Sequence, residues 1–264
     1  MYLQITSKCN MNCRHCGFSC NRKGMHMEWE TFINAIQFIR DRDDETISIG
    51  GGEPTLHPRF FDILKICLDD FNYVWMATNG SKTKVMRRLS NIIEGCDYES
   101  FEREDYCTCG EDPDDCECWP DKAIYQDGKL TVALSLDYFH SPINDKIVEL
   151  WKNRSKCSSF NNRNNYQIRD VTISHGGVVK SGRAIRSGVW QDESNCICPN
   201  IHISPNGDVK LCGCRNSPIL GNVNTSVDDE SLEFFRDNDI DCIKSMTKKL
   251  RRIYETKAYQ TLSD

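Results

Sequence analysis

The chain has 264 residues, of which 33 are basic and 39 acidic, giving a formal net charge of −6 and a pI near 5.6. Its 39% hydrophobic content supports a buried core and excludes a disordered chain, and no run approaches the roughly 18 apolar residues of a membrane span. Sixteen cysteines in a chain whose start lacks a basic and apolar export signal point to a reducing cytoplasm and to metal centres rather than disulfides.

Hydrophobic periodicity sets out a regular alternation. Residues 2–6 read as a strand, and Trp29, Phe32, Ile33, Ile36 and Ile39 recur at helical steps. A strand over Thr46–Ile49 precedes a helix over Pro58–Leu68, and a strand over Tyr73–Ala77 precedes a helix carrying Val85, Met86, Leu89, Ile92 and Ile93. Leu130–Leu136 is a fourth strand, Pro142 opens a fourth helix, and Val171–Ser174 is a fifth strand. Such alternation implies parallel strands joined by crossovers. The series stops short of eight units, so the expected fold is α/β: an incomplete parallel (β/α)6-type barrel over 1–188 with an open side. A Cys-rich hairpin-plus-helix module over 189–264 completes it.

The strand ends carry the unusual residues. Cys9–Cys16 follows the first strand, Gly50-Gly51-Gly52-Glu53-Pro54 the second and Thr78-Asn79-Gly80 the third. Ser135-Leu136-Asp137 closes the fourth, and His175-Gly176-Gly177 follows the fifth. Parallel barrels gather strand carboxyl ends on one rim, where their chemistry sits. His140, close behind Asp137, is placed in the substrate cavity or at a helix cap.

Cys9, Cys13 and Cys16 form a C-x3-C-x2-C loop. Three thiolates can hold three irons of a [4Fe–4S] cube and leave the fourth open; the bland alternative is a structural zinc knuckle. Together with Gly51-Gly52-Glu53-Pro54, the loop resembles the radical S-adenosylmethionine (radical SAM) superfamily. That resemblance implies a cluster on Cys9, Cys13 and Cys16, with the open iron chelating SAM. It also implies His15 against the adenine, Gly51, Gly52, Glu53 and Pro54 around the methionine amine, and Asn79, Ser135 and Asp137 at polar SAM or substrate positions. The implied activity is reductive cleavage of SAM and hydrogen abstraction from a substrate by the 5′-deoxyadenosyl radical.

Two further cysteine groups stand apart. Asn206-Gly207 marks a two-residue hairpin turn, which pairs residue 212 with 201 and brings Cys196/Cys198 towards Cys212/Cys214. The spacing Cys196-x10-Gly207-x4-Cys212 resembles the twitch and SPASM auxiliary-cluster signature and implies a second [4Fe–4S] centre; a zinc-stapled hairpin is the alternative. His202 is expected on the hairpin surface. Cys107, Cys109, Cys116 and Cys118 lie in an insert over about 102–121 with nine acids and one base. A zinc, an extra cluster or free thiols all suit them. The insert's net −8 leaves +2 on the rest of the chain, so the overall acidity is local. Cys20 reads as a packed thiol, and Arg183 in Gly182-Arg183-Ala184 as a carboxylate clamp or a surface ion pair.

The expected substrate is a peptide or protein side chain, by analogy with auxiliary-cluster members. A small molecule or nucleotide is the alternative, and a non-catalytic metal-binding or electron-transfer module is the alternative of another class. An electron donor is the expected partner. No basic aromatic stripe for nucleic acid is visible.

Overall fold

The structure is a computed structural model and describes residues 1–94, 129–154, 166–169, 178, 180–190, 201–214 and 217–237. The insert and Cys96, Cys107, Cys109, Cys116 and Cys118 lie outside the described residues, as do Cys157, Cys196, Cys198 and Cys242. The same holds for the strand expected at Val171–Ser174 and for His175-Gly176-Gly177.

Strands β1 (Tyr2–Thr6), β2 (Thr46–Gly51), β3 (Tyr73–Thr78), β4 (Leu130–Ser135) and β5 (Tyr166–Arg169) run parallel. Helices α1 (Trp29–Arg40), α2 (Phe60–Asp70), α3 (Thr83–Glu94) and α4 (Asp145–Arg154) alternate with them. The C-terminal part adds α5 (Gly182–Ser187), β6 (His202–Ile203), β7 (Asp208–Lys210), β8 (Ile219–Asn222) and α6 (Asp229–Asp237). All eight strands share one sheet in the order β5-β4-β3-β2-β1-β6-β7-β8.

Parallel strands covered on both faces must be apolar nearly throughout, and β4 is buried at all six positions. Register then stacks one row across five strands: Ile203, Leu3, Ile49, Met76 and Val132 are partnered in sequence and fully buried. Each such side chain contributes roughly 2 kcal/mol of apolar burial. On α1, Phe32, Ala35, Ile36 and Ile39 face this core. Ile33, expected on that face, is 42% exposed, one step off the stripe.

Three local expectations change. The fourth helix opens at Asp145 rather than Pro142: the Asn144 side chain accepts from the Lys146 N–H at 3.0 Å, as a cap does, and Ile143 remains outside the helix to pack over Gly80. The hairpin turn has three residues rather than two. Gly207 N–H donates to Ser204 O and Ser204 N–H to Asp208 O, with Gly207 at φ +91°, so His202 faces Lys210 and residue 211, not 212, falls opposite 201. The hairpin joins the barrel sheet, with β6 lying parallel to β1 and extending it. No helix among the described residues is long and apolar enough to cross a membrane.

Candidate functional site

The site grows from an irregularity in β1. Its pairing with β2 shifts between Gln4 and Thr6, where Gly51 takes φ +139°. A Cβ on Gly51 would lie 2.0 Å from Thr6 O, and one on Gly52 2.2 Å from Lys8 O. These glycines therefore serve a close approach of backbone to backbone. Gly52 N–H donates to Thr6 O and Glu53 N–H to Lys8 O, extending the ladder past the strand ends.

The chain then makes a closed excursion. Ser7 N–H bonds Met25 O, Cys9 N–H bonds Asn21 O and Met27 N–H bonds Ile5 O, so residues 9–21 leave and re-enter at one point beside β1. Cys9, Cys13 and Cys16 sit half-buried on this loop. Met11 N–H reaches Cys9 Sγ at 3.4 Å, and Cys16 is met by the Cys20 thiol and by the Phe18 and Cys20 N–H groups. Burial pushes the Cys9 thiol up to about 11 despite the Met11 N–H, with Glu53 and the neighbouring thiols adding to the rise. The Cys20 hydrogen bond pulls Cys16 down, against its burial, and Cys20 is pushed up in turn. Backbone N–H groups aimed at thiol sulfur are the donors that tune and hold a thiolate-bound cluster. Cys20 itself is 3% exposed, as its packed-thiol reading requires, and Gln4 Nε2 lies 3.7 Å from its sulfur.

Glu53 is 1% exposed, and both its carboxylate oxygens accept hydrogen bonds. Oε1 accepts from Thr55 Oγ1 at 2.6 Å, Thr78 Oγ1 at 2.7 Å and Thr55 N at 3.2 Å; Oε2 accepts from Asn79 N at 2.7 Å. Burial raises its pKa, and the four donors hold against that rise. The carboxylate thus caps the 3₁₀ turn Pro54–Leu56 and ties β2 to the end of β3. Asn79 continues the chain of contacts: its Nδ2 donates to Asn10 Oδ1 at 3.0 Å, Asn10 Nδ2 donates to Ser81 Oγ at 2.7 Å, and Ser81 N–H returns to Asn79 Oδ1.

Ser135 is buried at the end of β4. Asp137 turns to His140: Oδ1 accepts from His140 Nδ1 at 2.7 Å and from the Phe139 and His140 N–H groups. Burial works against a charged His140, but the bonds to Asp137 and Cys13 outweigh it and raise its pKa to about 9. His15 meets this segment, its ring 4.7 Å from Phe139 and 4.9 Å, edge-on, from His140. His15, Asp137 and His140 each bring a ligand-capable atom within 4.8 Å of the others.

Two residues behave differently from expectation. Among the described residues Arg183 meets carbonyls and no carboxylate: its Nη1 donates to Cys13 O at 2.7 Å, its Nη2 to Cys20 O and its backbone N–H to Cys16 O at 2.9 Å. Only adjacency in the fold could reveal this, because a guanidinium serves carbonyls and carboxylates alike. His202 is buried, not exposed. It lies with Tyr2 and Phe18 in a cluster of near-parallel rings with centroids 5.3–5.7 Å apart, and neither ring nitrogen meets a hydrogen-bond partner among the described residues. Cys212 and Cys214, which follow β7, are buried as well.

A cavity of about 790 Å³ opens above the cysteine loop, lined by Asn10 to Arg14, Asn21 to Lys23 and Tyr138, Phe139 and Ser141. Cys13 is the cysteine that faces it.

With this geometry in view, the family model of the Radical SAM superfamily matches residues 3–101. The chain is 31% identical over 97 residues to 7,8-dihydro-6-hydroxymethylpterin dimethyltransferase of Methanocaldococcus jannaschii, covering 35% of this chain and 19% of that protein. It is 27% identical over 113 residues to S-adenosylmethionine-dependent nucleotide dehydratase of a Thermoplasmatales archaeon, covering 41% and 40%. The chain thus spans less than half the length of either relative. A solved structure, native anSMEcpe with bound AdoMet and Kp18Cys peptide, aligns with TM-score 0.48 at 14% identity over 91% of this chain and 82% of that one.

Proposed function

We propose that the protein is a radical SAM enzyme that cleaves SAM reductively to start a radical modification of a second molecule; the match of the Radical SAM superfamily model to residues 3–101 supports this reading. The family implies a [4Fe–4S] cluster and SAM. Cys9, Cys13 and Cys16 would hold such a cluster, which together with SAM would supply reductive C–S cleavage and hydrogen abstraction from a substrate.

The protein's own part is positional. The loop's N–H groups bond the sulfurs of Cys9 and Cys16, Arg183 pins three loop carbonyls, and the Gly51–Glu53 ladder fixes the loop against β1. The Gly51–Gly52 main chain and the Glu53 Oε2, which accepts one bond from Asn79 N, are what this segment would offer a SAM ammonium. Asp137 and His140 are bonded to each other, and Phe139, which lines the cavity, packs against His15 behind it.

The observation that carries this reading is the placement of three half-buried thiols on one loop fixed at both ends beside β1, with Cys13 facing a cavity. A second centre, cluster or zinc, on Cys196, Cys198, Cys212 and Cys214, a further zinc or cluster on the insert cysteines, a cytoplasmic setting and an external electron donor belong to the same proposal. For the substrate, the auxiliary-cluster resemblance favours a peptide or protein side chain. The cavity lining favours a small molecule, the class also named for the two relatives.

The test is 5′-deoxyadenosine formation, read by mass spectrometry after anaerobic reconstitution with iron, sulfide, SAM and dithionite. Product from the wild type and none from Cys9→Ala supports the proposal. An iron-loaded wild type that neither binds nor cleaves SAM overturns it.

A further inference from the structure

The cavity above the loop has a charge that SAM does not explain. Among the described residues lining it, Arg14, Arg22 and Lys23 are basic and exposed, and no carboxylate occurs. SAM carries a sulfonium and an ammonium against one carboxylate, so three cations work against it. They suit an anion. Focused between protein walls, such charges draw and orient an oppositely charged ligand.

The same lining supplies the second feature. Tyr138 is 80% exposed, its ring 4.7 Å from that of Phe139, which itself packs on His15. A large ring held in solvent at a cavity mouth, backed by two others, offers a face for stacking. An acidic peptide would use the bases and leave this ring idle. The volume, about 790 Å³, lies within the roughly 300–1,000 Å³ typical of small-molecule sites.

We propose that the substrate of this site is a nucleotide, its base stacked on Tyr138 and its phosphates held by Arg14, Arg22 and Lys23. The inference rests on the radical SAM reading and specifies its substrate class. Arg14 spends one donor on Ser187 O at 3.1 Å, which sets its guanidinium beside the loop, and a planar fork with further donors is the group that grips phosphate in two places.

The test is isothermal titration of the reconstituted, SAM-loaded protein, without reductant, by the four ribonucleoside triphosphates, the four matching nucleosides and a Glu octapeptide. At least one triphosphate is expected to bind, more weakly at 200 mM than at 50 mM salt, with its nucleoside at least tenfold weaker. Arg22→Gln combined with Lys23→Gln should weaken the triphosphate about tenfold, and Tyr138→Ser several-fold. Lys84→Gln, on the exposed side of α3, should not. Both cavity changes are at exposed positions, and a thermal melt verifies their fold. Equal affinity for nucleoside and triphosphate, binding of the octapeptide alone, or no loss in the double variant overturns the inference. Deoxyadenosine formation by the wild type keeps the two readings separate. Cleavage without phosphate-dependent binding sinks only the nucleotide, whereas absent SAM binding sinks the radical SAM reading whatever the titration shows.

Discussion

Arg183 and Cys13 lie 170 residues apart in sequence, and the Arg183 Nη1 donates to the Cys13 carbonyl at 2.7 Å. The same residue bonds the carbonyls of Cys16 and Cys20, so one side chain and one amide fasten three points of the cysteine loop from outside. Gly182 completes the fit. A Cβ there would fall 1.9 Å from Gly17 O, so α5 can sit this close only with glycine at its start.

Removing that fastening should free the loop without unfolding the sheet. Arg183→Ala loses two charge-assisted bonds, each about 1.5–3 kcal/mol. Hydrogen exchange of the amides over 13–20 should accelerate at least tenfold, while β3 and β4 keep their protection. Arg183→Lys, a point charge that cannot span two carbonyls, should recover only part of it. Unchanged exchange in the Ala variant would show that the loop holds its shape unaided.

Glu53 yields a prediction about stability rather than cofactor affinity. The isosteric Glu53→Gln offers one acceptor oxygen where Thr55 N–H and Asn79 N–H approach different oxygens. The two threonine hydroxyls can reverse, but one buried N–H must lose its partner. The metal-free variant should be destabilised by about 1–3 kcal/mol in denaturant unfolding. A loss of SAM binding with unchanged stability would instead return the carboxylate to the cofactor. For the same reason, a Glu53→Ala variant cannot by itself report on SAM recognition.

His202 predicts a pH dependence. Burial holds its pKa down to about 4, with Lys210 adding to the effect, against an ordinary value of 6.5. The unfolded chain therefore takes up a proton at this position between pH 6.5 and 4 while the folded chain does not. Stability falls as pH drops through that window, by about 3 kcal/mol at its foot. His26 and His57, also lowered chiefly by burial, add with the same sign. In urea titrations from pH 7.5 to 4.5, His202→Phe should flatten the slope whatever it does to absolute stability. An unaltered slope would place the proton uptake elsewhere.

The sequence by itself determined the parts of this protein that depend on local order. Periodicity marks β1 to β4 and α1 to α3 within a few residues, because a buried parallel strand and an amphipathic helix each need a pattern carried by adjacent residues. The three-cysteine loop and the glycine–glutamate turn were legible for the same reason, each being contiguous. The start of α4 is not fixed by local order, because Pro142 suits a first turn as well as the approach to one, and the cap at Asn144 decides between them. The hairpin was misread by one residue because Asn206-Gly207 serves both two- and three-residue turns, and only the pairing of His202 with Lys210 separates them. Tertiary structure alone decided what long-range contact creates. It buried His202 by placing β6 against β1, and it gave Arg183 three carbonyls instead of a carboxylate. It directed Glu53 inward to Thr78 and Asn79. It also brought Arg14, Arg22 and Lys23 into one cavity lining with Tyr138, a basic and aromatic surface that no stretch of the chain displays, because its two halves lie over a hundred residues apart.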